Sequence, residues 1–327
     1  MKEVDHAIAF AFAPDGTGGP IPLAARLDQM SAPEGGFVWV HVNAGTEDGR
    51  DWLGHAGLDP LTLAAMTVQE TRPRTTVHGD HVLVYFRGVN LNPGAEPEDM
   101  VSLRLYLTAP LVVTVELRDL VAVDDVVAAL SHGPGPGSPG DLVARLAFRI
   151  AERADPVVAA LNERIDDLED EEIDLNAVIS QRGELADIRR MAIMMRRYMF
   201  PQRDALSDLE IEQLPWLDAR ARGRIREATE RVTRLAEELD AIRDRAQVVH
   251  DMIMDMRSEA MNRQMLLLSV VAAIFLPMSL ITGLLGINVG GIPGAHSPVA
   301  FWVVCLLLVA LGVLLGWLFR RLGLLRN

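Results

Sequence analysis

Two long apolar runs close the chain, Met265 to Leu285 and Val299 to Phe319, and residues 264–319 contain no Asp, Glu, Lys or Arg. Each run has about 21 residues, enough to cross a hydrocarbon layer of roughly 30 Å at about 1.5 Å per helical residue. Between them lies Gly286-Ile287-Asn288-Val289-Gly290-Gly291-Ile292-Pro293-Gly294. The pattern predicts a transmembrane hairpin with a glycine-rich tip.

Upstream of the first run the period is helical. Ile225, Ala228, Val232, Leu235, Leu239, Ile242, Ala246, Val249, Ile253 and Met256 alternate spacings of three and four, a heptad seam uninterrupted by charge. The seam predicts packing against other helices, in the same subunit or in an oligomer. A second stripe at the same spacing holds Asp240, Asp244, Gln247, Asp251, Asp255, Ser258 and Asn262, and extends through Met265, Ser269, Ala272, Leu276, Ser279, Gly283 and Gly286. One helix face therefore passes from carboxylates, through small polar groups, into the first span, as the wall of a cation pathway would. The helix is expected from Asp218 to Leu285, about 100 Å long, with Pro277 bending its membrane part.

The first 120 residues read as mixed α/β. Strands are expected at His6–Phe12, Phe37–Val42, His81–Val89, Val101–Leu107 and Leu111–Glu116, with short helices at Asp51–Ala56, Pro60–Val68 and Val121–Leu130. Asp59-Pro60 supplies an N-cap and a first-turn proline. No glycine-rich phosphate loop follows any strand. The segment Gly133-Pro134-Gly135-Pro136-Gly137-Ser138-Pro139-Gly140 reads as a linker and internal boundary. Asp141 is expected to cap a long helix. A returning helix runs from about Leu175 to Tyr198, with Pro201 and Pro215 breaking the pattern after it. Between these helices Glu163, Asp166, Asp167, Glu169, Asp170, Glu171, Glu172 and Asp174 form an acidic cluster. It either concentrates cations or is a solvated hairpin tip. The parts are thus an α/β domain over 1–140, an acidic helical hairpin and stalk over 141–263, and a transmembrane hairpin with basic tail over 264–327.

Charge adds a topology. The chain has 45 acidic and 31 basic residues; all the acids and all but three of the bases precede residue 264. An acidic domain argues against nucleic acid and suits cations, or serves solubility. Arg257 and Arg263 precede the first span and Arg320, Arg321 and Arg326 follow the second, while loop 286–298 has no basic residue. The positive-inside rule puts both termini in the cytoplasm, in a bacterial inner membrane. Trp302 and Trp317 fit an interfacial belt. The single cysteine, Cys305, excludes a disulfide framework and any multi-thiolate metal site. No nucleophile–base pair supports an enzyme.

Two helices cannot enclose a water-filled pathway, so a transporter of polar solute built this way is a cyclic homo-oligomer. Asn288 offers a neutral carbonyl oxygen. A ring of such residues at a pore mouth can hydrogen-bond the water shell of a divalent ion, and Gly286 lets the backbone come close.

The order of α/β domain, acidic hairpin, stalk helix, Gly286-Ile287-Asn288 and short second span resembles the CorA/ZntB family of two-span Gly-x-Asn divalent-cation transporters over the whole length. The resemblance implies an α+β cytoplasmic domain, a long stalk helix and two C-terminal transmembrane helices in a funnel-shaped homopentamer. It implies Gly286, Ile287 and Asn288 as the selectivity motif, and Met265, Leu268, Ala272, Leu276, Ser279 and Gly283 as pore-lining positions. Asp251 falls where magnesium-transporting relatives carry an ion-sensing carboxylate; with Asp240, Asp244 and Asp255 it is expected to attract or sense cations. Those relatives usually carry Gly-Met-Asn and an acidic loop. The loop here has no carboxylate at 289–298 and resembles the zinc-transporting ZntB branch, so Zn2+ is the expected cargo and Mg2+, Co2+, Ni2+ and Cd2+ the alternatives.

Ligand chemistry alone does not select zinc, which prefers thiolate, imidazole and carboxylate. The stripe carries none of these within the membrane, so the ion is expected to cross largely hydrated. Asn288 is expected to hold it through water, with His296 as a further candidate ligand. Cys305 is expected to be a small lipid- or helix-facing residue, and His78 and His81 a strand-end pair or a soluble zinc site. The resemblance also suggests proton coupling, although no acid or histidine marks a relay inside the spans. No resident cofactor is expected; membrane lipid is the other partner. A membrane-anchored coiled-coil scaffold or sensor is the competing class, and it has no use for a Gly-x-Asn collar.

Overall fold

A computed structural model describes residues 6–170, 178–287, 289–292, 294 and 297–322. The chain forms two compact units, Met1–His250 and Asp251–Asn327.

The first unit is built on one sheet. Its strands are β1 (Ala7–Phe12), β2 (Gly18–Ile21), β3 (Phe37–Asn43), β4 (Arg74–His78), β5 (His81–Gly88), β6 (Val101–Leu107) and β7 (Leu111–Glu116), in the order β2-β1-β3-β7-β6-β5-β4. All neighbours are antiparallel except β3 and β7, which run parallel with Val38 opposite Leu111. β3 and β7 are buried on both faces because helices cover both. Helices α1 (Glu47–His55) and α2 (Pro60–Thr67) follow β3. Their Leu53 and Met66 share a core with Val38, Val40, Val42, Val113, Val115, Leu83 and Tyr85. α3 (Val121–Ala129) and α4 (Pro139–Asp170) follow β7. At Gly88 an added Cβ would stand 2.7 Å from Leu120 and 3.5 Å from Ile150 of α4. Since Gly88 points opposite to Arg87, α4 lies on the face away from α1 and α2. On that face the buried polar groups satisfy one another. Trp39 Nε1 donates to Thr114 Oγ1 at 2.9 Å, and Glu116 Oε2 accepts the Leu120 amide at 3.1 Å.

Five strands stand where alternation predicts them. β2 and β4 are additions, the two edges of the sheet, and neither alternates. Thr46, ahead of the expected start of α1, caps that helix by accepting the Gly49 amide at 3.1 Å. Thr46→Ala is expected to destabilise the protein by about 1 kcal/mol, read as a small fall in the thermal midpoint. A capping role for Asp141 is corrected. Ser138 Oγ accepts the Asp141 amide at 3.1 Å, so Ser138 is the cap, while Asp141 reaches back to accept the Gly137 amide at 3.3 Å. The Gly/Pro segment before it is not a free tether: Gly135 N–H donates to Gly16 O at 2.8 Å, and Arg145 holds Pro134 O and Gly135 O.

α5 (Val178–Ile211) continues through Pro201, which sequence reasoning placed after its end. Met195, Met199, Ala205, Leu206 and Leu209 are buried on either side of the proline. Their packing, with Thr75 Oγ1 of β4 donating to Ala205 O at 2.7 Å, outweighs one lost backbone bond. The start of α5 near Leu175 and residues Glu171, Glu172 and Asp174 lie outside the described residues. α6 (Ala219–Leu285) has 67 residues and passes through Pro277 unbroken. Asp218 caps it, accepting the Ala221 amide at 2.7 Å.

The heptad seam is spent inside the subunit. Ile225, Ala228, Val232, Leu235, Leu239, Ile242, Ala246 and Val249 are all buried within a single chain. Arg231 of α6 pairs with Asp155 of α4, and Arg226 with Glu210 of α5. Of the two packings the seam allowed, in the same subunit or in an oligomer, the first is observed, and Met256, its last member, is 40% exposed.

In the second unit, α7 (Ala300–Arg321) meets the apolar end of α6 where Gly312 approaches Met278. Both are long and apolar enough to cross a membrane.

Candidate functional site

On a helix each residue advances about 100°. Along the first span the least exposed positions are Val270, Ile274, Pro277, Met278 and Ile281, which share one face. That face meets α7: an added Cβ at Gly312 would touch Met278 Cε at 3.7 Å. The half-buried positions of α7 are Val304, Cys305, Leu308, Leu311, Gly312, Leu315, Gly316 and Phe319, a single stripe.

The predicted pore-lining residues lie elsewhere. Met265, Leu268, Ala272, Leu276, Ser279 and Gly283 are all exposed in the single chain. Counted at about 100° per residue, their mean direction is about 180° from the α7-facing side. The face that runs toward Gly286 is therefore the one that α7 leaves uncovered. Its hydroxyls are partly committed: Ser269 Oγ donates to Met265 O at 2.8 Å, leaving its oxygen as an acceptor. Beside this face Thr282 Oγ1 donates to Met278 O and Ser279 O at 3.1 Å.

The helix ends at Leu285, and Gly286 N–H still bonds Thr282 O at 2.9 Å. A Cβ at Gly286 would stand 3.1 Å from that oxygen, a tight fit. Ile287 is exposed. Asn288 and His296 lie outside the described residues. Gly291 and Gly294 have positive φ, at 105° and 78°, which accounts for glycine there.

The four aspartates differ among themselves. Asp240 is claimed by Arg196 of α5 and by Arg243 at 3.0 Å, and Asp244 by Arg243 at 2.6 Å. The Asp244 carboxylate raises the affinity of Arg243 for its proton. These two acids are tied into ion pairs, which sequence spacing could not show because Arg196 comes from another helix. Asp251 and Asp255 are exposed. In the acidic cluster, Asp166 and Glu169 hold Arg245 of α6, raising its pKa chiefly through the Glu169 bond. That part of the cluster braces α4 against α6, a role neither expectation named.

Cys305 is half-buried on the helix-facing side of α7. His78 and His81 stack at 5.6 Å across the β4–β5 turn. Among the described residues no group of three His, Cys, Asp or Glu side chains is placed to hold a metal ion.

The sequence pattern of the family described as "CorA-like Mg2+ transporter protein" matches residues 34–321. The divalent cation transporter CmaX of Pseudomonas aeruginosa is 41% identical over 288 residues, covering 87% of this chain and 86% of that protein. The zinc transport protein ZntB of Pectobacterium carotovorum is 36% identical over 322 residues, 98% of this chain and 97% of that one. The solved structure of full-length CmaX superposes with a TM-score of 0.79 at 36% identity, covering 97% of each chain.

Proposed function

This chain belongs to the CorA-like family, whose members are divalent-cation transporters and not enzymes, and from that premise we propose that its cargo is zinc. The cation travels along the α6 face opposite α7, through Met265, Leu268, Ala272, Leu276, Ser279 and Gly283, to a collar at Gly286-Ile287-Asn288. The observation that carries this pathway is the uncovered face itself. It is apolar and small-residue on the membrane side, its neighbouring span packs on the opposite side, and a single chain leaves it without a partner.

One copy cannot close a channel from one helix face. The functional unit is therefore a homo-oligomer around a common axis, a pentamer if it follows the family architecture, in the bacterial inner membrane with both termini cytoplasmic. Zinc over magnesium is supported by similarity to ZntB over nearly the full length and by a loop without carboxylates. A neutral collar has no charge with which to strip water from a tightly hydrated ion, so the cation passes with much of its shell. Asp251 and Asp255 serve as cytoplasmic attraction, with Asp240 and Asp244 contributing through their ion-pair network. Proton coupling then relies on cytoplasmic carboxylates or on His296.

Flux into liposomes bearing the purified protein tests the assignment. Zinc entry is expected to exceed magnesium entry and to accelerate under an imposed proton gradient. Magnesium entry without zinc entry would overturn the cargo, and zinc entry indifferent to the gradient would overturn the coupling.

A further inference from the structure

Two arginines sit on the face of the sheet that packs against α1 and α2, beside Leu83 and Tyr85. Arg87 of β5 is opposite Ser102 and Arg104 of β6 is opposite Tyr85, so the two are diagonal neighbours on one face. Both are buried, Arg104 to 1% exposure. Their bonds go to backbone carbonyls. Arg87 donates to Thr71 O at 3.2 and 3.0 Å and to Met100 O at 2.7 Å; Arg104 donates to Gln69 O at 3.3 Å and Ser102 O at 3.4 Å, and also to Val68 O. Carbonyl dipoles orient a guanidinium without neutralising it. Burial, with Arg87 adding to it, pushes Arg104 down to about 10. The Nε of Arg104 is buried and has no hydrogen-bond partner among the described residues.

Both arginines line one cavity of about 550 Å3, together with Arg50 of α1 and Arg118. Its acids are Glu70 and Asp99, and Arg118 already takes Asp99. Among the described residues no carboxylate is within ion-pairing reach of Arg50, Arg87 or Arg104. The lining thus keeps an excess of positive charge, in a chain whose net charge is −14.

The cavity also has a particular address. Ala44 and Gly45, which follow β3, and Leu117 and Arg118, which follow β7, line it. β3 and β7 are the parallel pair; the chain leaves β3 for the α1–α2 face and, after β7, reaches α4 on the opposite face. Where neighbouring parallel strands part in this way, a crevice opens beyond their carboxyl ends, the common position for ligands in open α/β sheets.

We propose that this cavity is a binding site for a phosphate-bearing anion in the soluble unit. Arg50 at its exposed side would engage the phosphate oxygens, while Arg118, which neutralises Asp99, and buried Arg87 and Arg104 supply a fixed positive field. The site stands independently of the cation assigned to the membrane pathway.

Calorimetry on the full-length protein in detergent, with metals chelated, tests it using inorganic pyrophosphate against sodium chloride at matched ionic strength. Saturable pyrophosphate binding is expected, weakened about tenfold by Arg50→Gln and by Arg118→Gln. Arg104→Met also removes carbonyl contacts and can unfold the loop it holds. Arg50→Gln therefore carries the test, because Arg50 has no described partner to lose. Absence of binding, an equal response to chloride, or full affinity in both glutamine variants overturns the proposal.

Discussion

Asn288→Ala is expected to cut zinc flux in proteoliposomes by at least about tenfold, without altering expression or oligomeric state. The motif sits where the uncovered face of α6 ends. In the proposed collar the side chain would offer a carbonyl oxygen to a passing hydrated ion, and a hydrogen bond to a charged partner is worth about 1.5–3 kcal/mol. One such bond lost is about tenfold, and in a ring of copies every subunit loses it together. Alanine keeps the backbone and removes only the amide, so Gly286 and the turn into the loop are undisturbed. Asn288→Gln separates two explanations. If the amide chemistry is what matters, glutamine retains part of the flux; if collar width governs, it fails as alanine does. Wild-type flux in the alanine variant would remove the collar from the mechanism and leave the span face alone to select the ion.

Leu239→Ala gives the second large effect, and it acts on folding. Leu239 is fully buried in the middle of the α6 seam. Truncating such a side chain costs about 2–5 kcal/mol, through lost transfer energy and the cavity left behind. In a unit of this size that corresponds to a fall of roughly 4–20 °C in the thermal midpoint. Met256→Ala, at the exposed end of the same heptad pattern, is the control and is expected to change it little. The pair discriminates between two uses of the seam. Light scattering in detergent is expected to report the same oligomer for both variants, because the seam is buried within one chain. A Leu239→Ala protein with an unchanged midpoint and a dissociated assembly would mean that the seam joins subunits after all.

What could be read in advance depended on whether a feature is local. β5, β6 and β7 are dense runs of Val, Leu and Phe bounded by Gly and Pro, and their limits were legible to within a residue. β2, with the sequence Gly-Gly-Pro-Ile, has no strand propensity of its own. It is extended because β1 offers an edge, with Ala9 opposite Ile21. β4, Arg-Thr-Thr-Val-His, has β-branched residues but is only five long and does not alternate apolar with polar, so it gave no pattern to read. Pro201 was a reasonable stop on propensity alone, but the buried residues flanking it decided otherwise. Serine rather than aspartate at the start of α4 was a choice between two good capping residues three positions apart.

The membrane face of α6 was legible because both its period and the opposing α7-facing period are written in consecutive turns. The ion pairs of Asp240 and Asp244 were not, since Arg196 approaches from α5. Nor was the arginine cavity: Arg50, Arg87, Arg104 and Arg118 have no common spacing, and it takes the pairing of β5 with β6, together with the segments that follow β3 and β7, to gather them.

The division of the first span into two opposed faces also bears on how such proteins diversify. Met278 meets Gly312 of α7, and Val270, Ile274 and Ile281 share its face, so a change there must be answered by a change across the contact. Residues on the far face answer to no other part of their own chain. On the pathway proposed above, substitutions at Ala272, Leu276 or Ser279 can therefore accumulate singly, each tested by the solute rather than by the packing of its own chain. A lineage built this way can drift from one ion to another in small steps while its architecture stays fixed. That accords with one family pattern embracing relatives named for magnesium, for zinc and for divalent cations at large.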